Sequence, residues 1–185
     1  MTRDKALGLL EEFTKSDGLR KHALAVEAAM RAYARKLGED EDYWGVVGLL
    51  HDFDWEIHPT LPEHPVKGAE ILRERGVDEA IVLDVVSHGI DTGVPRDTPL
   101  RKVLFAVDEL TGFILAVAVV RPSRSLNDLE AKSVIKKMKD KSFAAAVSRE
   151  DVKEGAEALG VELSEHVQFV IEAMRPIGAQ LGLEG

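Results

Sequence analysis

Apolar residues in this chain recur at three- and four-residue spacing almost from end to end, a period that suits helices and not strands. Leu19, Val26, Ala29, Met30, Tyr33 and Leu37 form one such stripe, with Gly38 as its stop. Trp44, Val47 and Gly48 begin a second helix, which runs into His51 and Asp52. A loop with Pro59 and Pro62 follows, and then Val66, Ala69, Ile71 and Leu72 predict a short helix ending at Gly76. Asp78 reads as the N-cap of a helix holding Ile81, Val82, Val85 and Val86. Thr98-Pro99 sets a capping residue before a proline at the first helical position and opens a long helix toward Val120. Ser125 with Asp128, and Ser148 with Asp151, each place an acid three residues after a capping serine. A last long helix follows Ser164 and ends near Gly182. No segment alternates for long enough to require a strand, so the expectation is an all-α chain of about eight to ten helices.

A length of 185 residues suits one domain, and 45% hydrophobic with 31% charged residues describes a globular protein. There is no cysteine, which excludes a disulfide framework, a thiolate metal site and a cysteine nucleophile. Any metal must then be held by His, Asp, Glu or water, a donor set that leans toward Mn, Fe, Mg or Zn. The net charge of −9 opposes general nucleic-acid binding, with one basic exception from Lys132 to Lys141. The first residues lack the pattern of a signal peptide, and the longest apolar run, Phe113 to Val120, is short of a membrane span. A cytoplasmic enzyme or binding protein is the expectation. The apolar helix between Val161 and Leu181 suits a homodimer interface as well as a core.

Chemistry is signalled by polar residues on apolar faces. His22 lies three residues after Leu19 and four before Val26, and His51 follows Val47 and Gly48 by four and three. His88 continues the stripe of Ile81 and Val85, and Asp108 interrupts a strongly apolar helix. Each alone has a bland account as a hydrogen-bonded core residue. Several imidazoles and carboxylates aimed inward from separate helices all need partners, and one divalent cation satisfies them together.

His22, then His51-Asp52, then Asp108, on successive helices, resembles the HD superfamily of metal-dependent phosphohydrolases. The contexts LRKHALAVEAAM, VVGLLHDFDWE, EHPVKGAEIL, VVSHGIDTGVP and LFAVDELTGF carry the resemblance over roughly residues 19 to 120, and Ala131 to Val147 is similar to an uncharacterised branch of predicted hydrolases. The resemblance implies a single compact HD-domain helical bundle over 1–185, with a metal-binding core at about 19–120 and C-terminal helices at 121–185. It implies His22, His51, Asp52 and Asp108 as ligands of one metal. Members with two metals add two histidines, which His64 and His88 match, with Asp52 bridging. His58, in the proline-flanked loop, is the rival of His64, which is favoured by its HPVKGAEIL context. His166 lies beyond the matched region and reads as a surface or packing residue. Many signalling members read His-Asp-Ile-Gly where this chain reads His51-Asp52-Phe53-Asp54, which argues against a cyclic-dinucleotide phosphodiesterase.

The implied reaction is hydrolysis of a phosphomonoester, phosphodiester or phosphoanhydride by metal-activated water, with Asp52 as catalytic residue and two divalent ions drawn from Mn, Fe, Mg, Ni, Co and Zn. The substrate is a small phosphorylated compound, nucleotide-like in one reading, because Trp44 or Trp55 offers a stacking surface, although packing suits Trp44 better. Lys67, three residues after His64, is a candidate for binding substrate, as are Arg121 and Lys136, with Arg124 and Lys132 further choices; each is also readable as a solvated surface charge. Two rival functions remain at this stage: a di-iron oxygenase on the same ligands, and a metal- or nucleotide-binding module without turnover.

Overall fold

Side chains that cap helix ends determine where several of the elements begin. The computed structural model describes residues 1–61 and 63–185; Pro62, expected in the loop with Pro59, lies outside the described residues. By contact density the chain divides into two units, residues 1–104 and 105–185.

The first unit holds α1 (Arg3–Phe13), α2 (Asp17–Leu37), α3 (Glu41–Leu50), α4 (Glu63–Glu74), α5 (Glu79–Val86) and the opening of α6 (Pro99–Val120). Ser16 caps α2 by accepting from the Leu19 amide, and Gly38 ends it in the left-handed conformation at φ 75°. Asp40 accepts from the amides of Asp42 and Tyr43 to start α3, and Asp78 accepts from Ala80 to start α5. α3 stops at Leu50, so His51 sits at its C-cap and the doublet opens a turn. α4 contains an extended residue at His64 (φ −81°, ψ 136°), so regular helix begins only after it.

α2 packs on α3, and α1 on α3. Val26, Met30, Val47, Leu50 and Leu10 are all buried there. Each such side chain contributes about 1.5–3 kcal/mol on burial. At Gly48 the two helices almost touch: a Cβ there would lie 2.9 Å from Met30 Cγ and 3.2 Å from Glu27 Cα. Glu27 is buried and accepts from Arg3 Nε (2.6 Å) and Arg31 Nε (2.9 Å), which ties α1 to α2 without leaving a buried charge unpaired.

The second unit holds the rest of α6, α7 (Ala131–Met138), α8 (Arg149–Ala158), α9 (Leu163–Met174), a 3-10 turn (Arg175–Ile177) and α10 (Gly178–Leu181). α7 and α8 pack on α9. At Gly155 the α8 backbone comes so close to α6 that a Cβ would lie 2.5 Å from Ala106 Cα. Ser148 caps α8 at the Asp151 amide, as the serine–acid spacing predicts. Ser125 does not start a helix: its hydroxyl donates to the Glu184 carbonyl and accepts from Asn127, while Asp128 takes Arg121 and Ser123. The last helix begins at Leu163 and breaks at the 3-10 turn, where Pro176 lacks an amide proton.

Among the described residues there is no strand, only an isolated antiparallel bridge between Ser125 and Glu184. The fold is all-α. The apolar run at Phe113 to Val120 is part of a longer element, and α6 is the one described helix long and apolar enough to cross a membrane; 56% of its most apolar window is buried within the protein, as in a core helix.

A candidate metal centre

The segment from His51 to Glu56 builds the centre, and its residues face in different directions because the helix ends at Leu50. Phe53 is fully buried, its carbonyl accepting from the Thr14 hydroxyl (2.9 Å) and its ring edge-on to Phe13. Glu56 accepts from the amides of Lys15 and Ser16 at 2.7 and 2.9 Å, which ties the turn to the start of α2 and lowers its pKa. Trp55 stands edge-on to the His64 ring, 4.9 Å between centroids. Trp44 is buried, and its indole is packing. The turn is thereby fixed at three points around Asp52.

Asp52 is the hub. Its Oδ2 lies 3.4 Å from His51 Nε2 and 3.6 Å from His22 Nε2; its Oδ1 lies 3.2 Å from His64 Nε2 and 3.3 Å from His88 Nε2. The two oxygens therefore face two separate histidine pairs. Burial alone would raise the Asp52 pKa, but the charge of His51 and hydrogen bonds from His51, His64 and His88 hold it well below the usual carboxylate range. The ligand atoms of His22, His51 and Asp52, and those of Asp52, His64 and His88, lie within 4.8 Å of one another.

The far nitrogens of three rings are held by groups that accept protons. His51 Nδ1 donates to the Gly48 carbonyl (2.8 Å) and His88 Nδ1 to the Val85 carbonyl (2.6 Å). His64 Nδ1 donates to Asp54 Oδ1 at 2.9 Å. These partners assign the proton of each neutral ring to Nδ1 and leave Nε2 as a lone pair. His64 Nε2 and His88 Nε2 are then two lone pairs only 2.9 Å apart. Such a pair requires a proton or a cation between its members. Burial lowers the His64 pKa, but hydrogen bonds to Asp52 and Asp54 outweigh it and push the value up to about 9. The donor set of imidazoles and a carboxylate with both oxygens in use fits divalent ions.

Asp54 was not among the predicted site residues. It is 1% exposed, and besides His64 it accepts from the Gly68 amide through Oδ2 at 3.0 Å. A Cβ on Gly68 would lie 2.5 Å from Asp54 Cγ, so only glycine lets the carboxylate seat on the α4 backbone. Arg96 also supports the site: it donates to the carbonyls of Ser87 (2.9 Å), His88 (2.8 Å) and Gly89 (3.2 Å) and fixes the chain that carries His88.

Within the first unit, the predicted ligands His22, His51, Asp52, His64 and His88 are brought together. Asp108 lies on α6 in the second unit, half-buried, its carbonyl accepting from the Thr111 hydroxyl at 2.9 Å. His58 is half-buried and joins neither ligand group. His166 is buried and donates from Nε2 to the Ala106 carbonyl, a packing role. Of the predicted substrate cations, Lys67 pairs with Glu70 (2.9 Å), Arg121 pairs with Asp128 (2.8 Å), and Lys136 is exposed.

No solved structure matches the chain. An uncharacterized protein of Methanocaldococcus jannaschii is 33% identical over 106 residues; the match covers 55% of this chain and 61% of that relative's length. The HD domain family model matches residues 19–112, just over half the chain and a span that contains all six predicted ligands. The chain belongs to the HD-domain family, a superfamily of metal-dependent hydrolases.

Proposed function

We propose that this protein is a metal-dependent phosphohydrolase that acts on a small phosphorylated, nucleotide-like substrate with two divalent ions. The observation that carries the reading is the division of the Asp52 carboxylate, Oδ2 toward His22 and His51 and Oδ1 toward His64 and His88. A carboxylate with one oxygen toward each histidine pair would serve two ions at once. His22, His51, Asp52 and, from α6, Asp108 would hold one ion; Asp52, His64 and His88 would hold the other. Membership of the HD family supports Asp108 as the remaining ligand, since it lies within the matched span.

Bound divalent ions supply Lewis acidity, which brings the pKa of water toward neutrality and stabilises charge on phosphoryl oxygens. The protein's own residues do the positioning. Carbonyls of Gly48 and Val85 and the Asp54 carboxylate keep protons on the outer nitrogens of His51, His88 and His64, so that Nε2 stays available as a donor atom. Asp52, held ionised, carries the negative charge that offsets part of the cationic centre. Lys67, on the same helix as His64, is the cation we assign to the substrate phosphate, with Arg121 and Lys136 as further contacts.

Metal analysis of the purified protein, alongside a phosphatase and phosphodiesterase screen with Mn, Fe, Co, Ni and Mg, tests the reading. About two ions per chain and turnover lost in Asp52→Ala support it. Protein that releases phosphate equally well after Asp52→Ala, or that binds no ion, refutes it; oxygen uptake by an iron-loaded protein without phosphate release would move it to the oxygenase class.

A further inference from the structure

Apart from Lys136, the basic stretch from Lys132 to Lys141 has no part in the proposed metal-centre chemistry, and in the second unit it borders a cavity of about 500 Å³. Pockets of some 300–1,000 Å³ are the usual size for small-molecule ligands. α7 contributes Ile135 and Met138, the turn before α8 contributes Val147, and α9 contributes Leu163, which together give the cavity an apolar wall. Lys139, Lys141, Arg149 and Lys153 also line it, against a single acid, Glu150. In a chain of net charge −9 this is a local reversal of sign.

Two features separate this cavity from an ordinary solvated basic surface. Residues 140–147 are locked in place: Arg149 donates through Nη1 to the carbonyls of Ala144 (2.6 Å) and Val147 (2.7 Å), and through Nη2 to those of Asp140 and Phe143. Asp140 in turn accepts from Ser142 and Phe143. The lock holds Ala144 at φ 43°, a left-handed conformation that a residue with a Cβ adopts only under constraint. In contrast, the side chains of Lys139, Lys141 and Lys153 have no ion-pair or hydrogen-bond partner among the described residues, although Lys137 nearby pairs with Asp140 at 3.0 Å. A strained, braced turn thus presents unpaired cations beside an apolar wall.

We infer that this cavity binds a small organic anion with an apolar body, its phosphate or carboxylate head held by Lys139, Lys141 and Lys153 and its body against Ile135, Met138, Val147 and Leu163. Met138 suits such a wall, because its unbranched thioether adapts to ligands of differing shape. The inference stands apart from the two-ion reading, since no residue is common to both.

Calorimetric titration of the full chain with octyl phosphate, octanoate, octanol and inorganic phosphate tests it. Both amphiphilic anions are expected to bind at least about tenfold more tightly than octanol or inorganic phosphate, because each control lacks half of the recognition. Tighter octyl phosphate assigns a phosphate head, tighter octanoate a carboxylate, and either supports the site. Lys139→Glu with Lys153→Glu, two exposed positions, should weaken both anions by about tenfold or more. The Asp52→Ala variant should bind them as wild type does. Anion binding lost in Asp52→Ala but kept in the double variant belongs to the metal centre and overturns the inference. So does octanol that binds as tightly as octanoate, or the absence of binding by either anion.

Discussion

The metal centre of the first unit and the cavity of the second use opposite strategies. Around Asp52 the functional groups themselves are constrained: His51, His64 and His88 each have one nitrogen tied to a carbonyl or carboxylate. In the cavity the backbone is constrained instead, through the four carbonyls that Arg149 gathers, and the lysines extend without partners. The chemistry of the two proposed ligands accounts for the difference. A transition-metal site tolerates donor displacements of only about 0.2 Å. An ammonium on a four-carbon stem attracts an anion from many positions. Rigidity is spent where the ligand demands it.

Four outcomes would break or sharpen this contrast. Asp52→Ala should have the largest effect: both ions lost by elemental analysis, and turnover down by about a thousandfold or more, because both histidine pairs share that carboxylate. Arg149→Ala comes next, with a loss of about 2–4 kcal/mol in chemical denaturation as its carbonyl partners are released, while metal content stays as in wild type. A fall in bound metal in that variant would show that the two regions are not independent. Asp54→Asn keeps the volume but weakens the hold on His64; metal titration should show one of two ions bound about 10–100-fold more weakly, the other unchanged. Two ions held as in wild type would mean that the Asp54–His64 contact serves packing alone.

The smallest effect concerns pH. In chelator-treated protein the His64 pKa lies at about 9, above its ordinary value, owing to Asp52 and Asp54. Protonation of His64 therefore favours the folded state: its contribution is fully present below about pH 6.5 and is lost as pH rises through about 9. Thermal melts over that window should show a declining Tm, and His64→Gln should flatten the decline. An equally steep decline in His64→Gln would remove His64 as its source.

Much of this was readable from the sequence, for local reasons. Gly38, Asp78 and Ser148 act within a few residues of their own positions, so their spacing predicts where helices end or begin. The inward histidines stand out because an imidazole in an apolar stripe is anomalous wherever the stripe packs. What escaped detection depends on distant partners. Ser125 has the local pattern of a helix start, yet its hydroxyl is taken by Glu184 at the far end of the chain. Asp54 meets Gly68 across a loop, and the only sequence trace of it is an acid between the two aromatic residues Phe53 and Trp55. Lys139 and Lys141, which line the cavity, lie beyond the end of α7 at Met138, where helical spacing no longer indicates the direction of a side chain. The opening helix, α1, buries Ala6, Leu9 and Leu10, whose helical spacing is a local signal of the same kind.

The near-contact of α2 and α3 at Gly48 bears on the spacing of two candidate ligands. His22 lies on α2 and His51 at the C-cap of α3, and their Nε2 atoms are 3.1 Å apart. With Met30 and the Glu27 backbone already against Gly48, a methyl group there would force Met30 to shift and press on the α2 backbone. A residue with no donor atom thus takes part in setting the spacing of two imidazoles, and Gly48→Ala is expected to alter that spacing while every candidate ligand stays the same.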